Sequence, residues 1–169
     1  AEKIKIEYSS KLELDYDLLI RNIDDKTKAV FIANPNQPTG TVISEEQTKV
    51  LVKKTKDTNT LLVFDEAYQP FSGNDSNIKY VKKNAHVIVV QTLSKAVGLA
   101  SVRLGYIVSQ PTNIQWLYKV KSYADINLPA IKIGEYLLKN YSVVEDYIKS
   151  VIESKLLLET ELNALGVSV

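Results

Sequence analysis

The 169-residue chain contains no cysteine, no methionine, a single histidine (His86) and a single tryptophan (Trp116). Without cysteine there is no disulfide framework, no thiolate nucleophile and no zinc-thiolate site. One histidine cannot build a histidine-rich metal centre. Because none lies near Ser94 in sequence, the case for a serine hydrolase triad is weak. The missing methionine means that no initiator is present, so the sequence reads as part of a longer or processed chain, and its lack of a signal peptide says nothing about location. Long apolar runs are absent too: the longest, Ala29 to Ala33, is far too short to cross a bilayer. Charge of one sign does not dominate, since 21 basic residues face 20 acidic ones for a net charge of +1. That scattered balance gives no footprint for nucleic acid or an anionic membrane surface. The six glycines form neither G-x-G-x-x-G nor G-x-x-x-x-G-K-[ST], so a phosphate is not held in either of those two ways.

What is present suits a globular domain. Hydrophobic residues make up 45% of the chain and charged residues 24%, enough to bury a core at a length typical of about one domain. Lys3 to Tyr8 alternates polar and apolar residues and predicts a half-exposed strand. Asp15 is placed to cap a short helix reaching about Ile23. Ala29 to Ala33, Thr60 to Phe64 and Val87 to Val90 read as buried strands, and Arg103 to Val108 as a fourth strand. Between the first two, Ser44 and Gln47 form a capping box for a helix to about Asp57. Short apolar runs separated by helix-sized polar stretches predict an α/β fold, a mostly parallel sheet with helices on both faces. From Pro111 the pattern turns helical, around Asn113 to Tyr118, around Leu128 to Asn140, and then from Ser142. The last segment has Ser142 and Glu145 as a capping box, an apolar stripe of Val144, Ile148, Val151, Ile152, Leu158, Leu162 and Leu165, and Gly166 as its stop. Its length of about 35 Å, at 1.5 Å per residue, suits a connecting helix, after which Val167-Ser168-Val169 begin a further segment.

Three of the predicted strands end in polar segments unlike one another: Asn34 to Gly40 (N-P-N-Q-P-T-G), Asp65 to Tyr68 (D-E-A-Y), and Gln91 to Lys95 (Q-T-L-S-K). In open α/β sheets ligands bind outside the carboxyl ends of the strands, so these segments are the candidate site. Lys95 lies in L-S-K-A-V-G-L-A directly after a buried strand, where an amine is placed to attack a carbonyl and form a Schiff base. The alternative is a loop lysine reaching out to water. Arg103 is one of only two arginines. With the hydroxyls of Thr92 and Ser94 it makes a phosphate cup, or else an ordinary strand-edge ion pair. Asp65 ends a buried strand and calls for a cationic partner such as a protonated pyridine nitrogen. Tyr68, three residues on, is placed to reach the same ring or to fill the core. Glu66 reads as no more than a neighbour, and His86 as a structural residue at the start of a strand.

The three segments, with T-L-S-K-A-V-G-L-A-S-V-R-L-G-Y from Thr92 to Tyr106, resemble in order and spacing the fold type I pyridoxal-phosphate aminotransferases, most closely the histidinol-phosphate branch. The resemblance implies that residues 1–141 are the central and later part of a cofactor-binding large domain, and that residues 142–169 lead toward a small domain. It implies pyridoxal 5'-phosphate bound to Lys95 as a Schiff base. Asp65 would sit on the pyridine nitrogen, Tyr68 on the phenolic oxygen, and Thr92, Ser94 and Arg103 on the phosphate. The family has an asparagine where this chain has Gln37, so either Gln37 or the nearby Asn36 supplies the ring-oxygen contact, or it is lost. The bond before Pro38 is a candidate cis peptide. The implied reaction transfers an amino group between an amino acid or amino-alcohol phosphate and a 2-oxo acid, in a cytoplasmic homodimer, with no nucleic acid, membrane or metal partner. The same residues leave open a decarboxylase of a phosphorylated amino acid, or a catalytically silent binding domain.

Overall fold

The computed structural model describes residues 2–122 and 126–167. Contacts divide the chain into two compact units, Ala1–Thr92 with Gly105–Tyr123, and Leu93–Leu104 with Ala124–Val169.

The first unit is built on a four-stranded sheet in sequence order: β1 (Ala29–Ala33), β2 (Leu61–Asp65), β3 (Val87–Thr92) and β4 (Gly105–Val108). The first three strands run parallel and β4 is antiparallel to β3. Around them come α1 (Tyr16–Arg21) before the sheet, α2 (Glu45–Asp57) and α3 (Ile78–Val81) between strands, and α4 (Pro111–Val120) after it. Both expected caps at the amino side form: Asp15 accepts the Leu18 N–H, and Ser44 and Gln47 close a reciprocal capping box. From α2, Thr48, Leu51, Val52 and Thr55 face inward at helical spacing, while Val50 points out. Leu51 and Val52 join Val30, Ile32, Leu62, Phe64, Val87 and Val89 from the strands in one core. Fully burying a side chain such as Leu51 or Phe64 contributes roughly 1.5–3 kcal/mol. The opposite face of β1 is open, with Phe31 77% exposed.

Lys3 to Tyr8 forms no strand: only an isolated bridge joins Tyr8 to Leu14. Alternation alone does not make a strand where no neighbouring edge pairs with it. The fourth strand starts at Gly105 rather than Arg103, because Arg103 adopts a left-handed conformation (φ 56°, ψ 38°) after a 3-10 turn at Ala100–Val102.

The second unit holds α5 (Leu128–Lys139) and α6 (Ser142–Ala164). Asn127 caps α5 by accepting the Ala130 N–H. Gly134 brings α5 so close to the 93–104 loop that an added Cβ would overlap Leu104 Cδ2 and lie 3.4 Å from Leu93 Cδ1. The Ser142 capping box is not made. Tyr141 occupies the cap position with helical dihedrals, so Ser142 is already inside the helix. Gly166 does stop α6: at φ 78° its N–H bonds Asn163 O, and the Val167 N–H bonds Leu162 O, the paired bonds of a Schellman end. Of the predicted stripe, Val144 is buried and Ile148, Val151, Ile152 and Leu162 are half-buried, whereas Leu158 and Leu165 are exposed. Ser168 and Val169 lie outside the described residues.

Candidate active site

In the first unit, the register Ala33 to Asp65 to Val90 brings the carboxyl ends of β1, β2 and β3 level. The Asn-Pro loop leaves β1 there. The Asn34 N–H donates to Asp65 O at 2.9 Å, and its side-chain oxygen accepts the Ile43 N–H at 3.1 Å, closing the loop at its base. The Gln37–Pro38 bond is cis as expected, and so is Asn34–Pro35, for which the sequence carried no such expectation. Within the loop, Asn36 Nδ2 donates to Thr39 Oγ1 at 2.8 Å, and Thr39 and Thr41 share a 2.6 Å hydroxyl bond. Gln37 is exposed.

At the end of β2 the expected burial falls one residue later than predicted. Asp65 is exposed, with Oδ1 accepting the Ala67 N–H at 3.0 Å. Glu66 is the buried carboxylate, 1% exposed. The reason is the alternation of the strand: Leu62, Phe64 and Glu66 point to the core side, so Asp65 points away from it. Glu66 accepts three hydrogen bonds, from Ser76 Oγ (2.6 Å), the Asn77 N–H (2.6 Å) and Gln91 Nε2 (2.7 Å). An acidic residue following the last core position of a strand, at the spacing of Leu62 and Phe64, was the available signal for this role. Tyr68 is half-buried at the start of a 3-10 turn over Gln69–Phe71, and Thr92 ends β3 paired with Gly105. A cleft of about 520 Å³ in this unit, lined by Asn34, Glu45, Thr48, Asn77 and Lys79 among others, touches the strand-end segments only at Asn34 and includes none of the residues given a cofactor contact.

The second unit carries the remaining three. Ser94, Lys95 and Arg103 share one loop, closed at its base by the Leu93 N–H on Leu104 O at 2.9 Å. Lys95 is exposed between buried Leu93 and Ala96. Its carbonyl accepts the Gly98 N–H at 2.9 Å in a turn that Gly98 permits with φ 74°. Arg103 is exposed, and Nη1 donates to Ala100 O at 3.1 Å. A non-glycine residue in the left-handed region is costly, and such residues concentrate at functional sites. His86 takes its expected structural place just before β3. Nε2 lies 3.1 Å from Val52 O, and burial lowers its pKa.

The profile of aminotransferase class I and II matches residues 1–168. The chain belongs to this family. Among curated relatives it is 36% identical over 166 residues to histidinol-phosphate aminotransferase 1 of Carboxydothermus hydrogenoformans, covering 98% of this chain and 46% of that protein. It is 32% identical over 153 residues to histidinol-phosphate aminotransferase of Methanosphaera stadtmanae, covering 90% and 41%. The solved histidinol-phosphate aminotransferase of Sinorhizobium meliloti, in complex with pyridoxal-5'-phosphate, superposes with a TM-score of 0.85 at 24% identity, covering 98% of this chain and 45% of that one. The chain thus spans less than half the length of these family members, and it carries their fold in its mostly parallel α/β sheet. No helix among the described residues is long and apolar enough to cross a membrane.

Proposed function

We propose that the protein containing this chain is a pyridoxal-phosphate-dependent aminotransferase, moving an amino group between an amino acid or amino-alcohol phosphate and a 2-oxo acid. The observation that carries this reading is the family match over residues 1–168, which includes every strand-end segment singled out for chemistry. The donor set fits the cofactor. An exposed amine (Lys95) suits its aldehyde and an exposed carboxylate (Asp65) its pyridine nitrogen. An exposed guanidinium (Arg103) with the hydroxyls of Thr92 and Ser94 suits its phosphate. When bound, the cofactor supplies the electron sink for the substrate's α-carbon.

The chain's own residues supply the rest. Lys95 Nζ would hold the cofactor's aldehyde carbon and, as a free amine, would take the proton from the substrate α-carbon and return it to the cofactor carbon. Asp65 keeps a proton on the pyridine nitrogen, and the Ala67 N–H fixes the orientation in which it does so. The Tyr68 hydroxyl would donate to the cofactor's phenolic oxygen. Of the two amides nearby, Asn36 spends one N–H on Thr39 inside its own loop while Gln37 is exposed, which favours Gln37 as the second donor. Residues 1–141 serve as the central and later part of the cofactor domain and 142–169 as the lead into a small domain, in a cytoplasmic homodimer.

The test is borohydride reduction of the full-length protein loaded with pyridoxal phosphate, followed by peptide mapping. The adduct is expected on Lys95, with amino-group transfer to a 2-oxo acid in the untreated enzyme. An adduct on another residue, or carbon dioxide release without amino transfer, overturns the reading.

A further inference from the structure

Among the described residues Glu66 is the only buried carboxylate, and nothing in the proposed chemistry uses it. Its three hydrogen-bond partners are uncharged, so these bonds, with no ion pair among them, must compensate its desolvation. They join three separate pieces of the first unit. Ser76 and Asn77 belong to the segment before α3, Gln91 to β3, and Glu66 to the exit of β2. The network continues outward: the Tyr106 hydroxyl of β4 donates to Gln91 Oε1, Gln91 Nε2 lies 3.3 Å from Ser76 Oγ, and Ser76 Oγ accepts the Ile78 N–H at 3.2 Å. The Glu66 backbone is equally committed, its N–H on Val90 O at 2.9 Å and its carbonyl accepting the Gln69 N–H at 3.1 Å. The next residue, Ala67, directs its N–H at Asp65 Oδ1.

We infer that Glu66 is a positioning residue for Asp65: its buried carboxylate locks the β2 exit to β3 and to the 76–77 segment, so that the Ala67 N–H holds the Asp65 carboxylate in one orientation. This rests on the reading of Asp65 as the partner of the pyridine nitrogen. A carboxylate held by a rigid turn meets that nitrogen without reorganising, which is the advantage of a supported site over a loose one.

Glu66→Gln tests the lock, because an amide at this position offers one acceptor oxygen where three donors converge and places its own N–H₂ against them. The double variant E66Q/Q91E exchanges carboxylate and amide between the two positions. The amide at position 66 then accepts from the Asn77 N–H and donates to the carboxylate at position 91, which also accepts from Ser76 and Tyr106. In the full-length protein, E66Q is expected to speed apo-state hydrogen exchange at Ala67 and Asn77 about tenfold and to weaken pyridoxal phosphate binding about tenfold. The exchanged pair is expected to restore both to within about threefold. Exchange and cofactor affinity of E66Q within about twofold of wild type overturn the inference. A loss of thermal stability alone, with unchanged cofactor affinity, does the same, as does an exchanged pair no better than the single variant. Failure of the wild-type protein to give a Lys95 adduct on borohydride reduction marks the different failure, that of the cofactor reading itself.

Discussion

Arg103 separates stability from cofactor affinity in a single substitution. Its backbone sits at φ 56° and ψ 38°, a conformation that costs an L-residue roughly 1–2 kcal/mol and a glycine nothing. Arg103→Gly removes that strain but adds about 0.5–1 kcal/mol of unfolded-chain entropy. It also deletes the Nη1 bond to Ala100 O, an exposed contribution of about 0.5 kcal/mol. The three nearly cancel, so the unfolding free energy is expected to stay within about 1 kcal/mol of wild type. The phosphate does not share in that cancellation. A charge-assisted hydrogen bond is worth about 1.5–3 kcal/mol, so Arg103→Gly is expected to weaken pyridoxal phosphate roughly 10–150-fold. Arg103→Lys keeps the charge, loses the fork and keeps the strain, and so falls between. Urea unfolding of the apo protein and spectroscopic titration with cofactor, both on the full-length chain, measure the two quantities. A loss of more than about 2 kcal/mol in stability would refute the backbone argument. Cofactor affinity within about twofold of wild type would refute the phosphate assignment.

Two further outcomes follow from packing and titration. Gly134→Ala drives a methyl into Leu104 Cδ2; an overpacking cost of about 1–3 kcal/mol, less the roughly 1 kcal/mol by which alanine favours a helix, predicts a modest net loss by urea unfolding. Combined with Leu104→Ala that loss should vanish, and strictly additive effects would contradict the contact. Burial holds His86 below its ordinary pKa of 6.5, opposed by the Val52 carbonyl bond and reinforced by Lys56. The unfolded chain therefore takes up the proton first as pH falls below 6.5, and the stability present above that pH is lost on acidification. His86→Gln is expected to flatten the slope of unfolding free energy between about pH 7 and pH 5 relative to wild type. Parallel slopes would exclude this contribution.

The strands, two of the caps and the three polar strand ends were legible because each rests on local signals: apolar runs bounded by Asn-Pro and Ser-Lys segments, Asp15 and Ser44 placed before helical stretches. Three features were not, and each depends on a partner outside its own segment. Asp65 and Glu66 are adjacent carboxylates. Alternation from Leu62 and Phe64 turns Glu66 inward, but the donors that let a carboxylate stay there, Ser76, Asn77 and Gln91, lie outside the segment. Lys3 to Tyr8 alternates like a strand but pairs only through the Tyr8–Leu14 bridge, and strand pairing is not encoded in the segment itself. Arg103 looked like the start of a strand because Leu104 to Val108 is apolar. Its left-handed turn is set by the 3-10 segment before it, which propensity does not announce. Ser142 shows the converse: a correct capping motif displaced by one residue when Tyr141 continues the helix backward.

The antiparallel pairing of Thr92 with Gly105 means that the twelve residues from Leu93 to Leu104 leave and rejoin the sheet at neighbouring positions. Such an excursion is topologically a cassette. Its two ends are held by the Thr92–Gly105 pairing, the Leu93–Leu104 bond and the packing of Leu93 and Leu104 on Gly134, which leaves Ser94 to Arg103 as the part whose sequence the strands do not specify. Retuning the segment that carries Lys95 and Arg103 therefore means exchanging what lies between Leu93 and Leu104 while keeping those two leucines as its anchors.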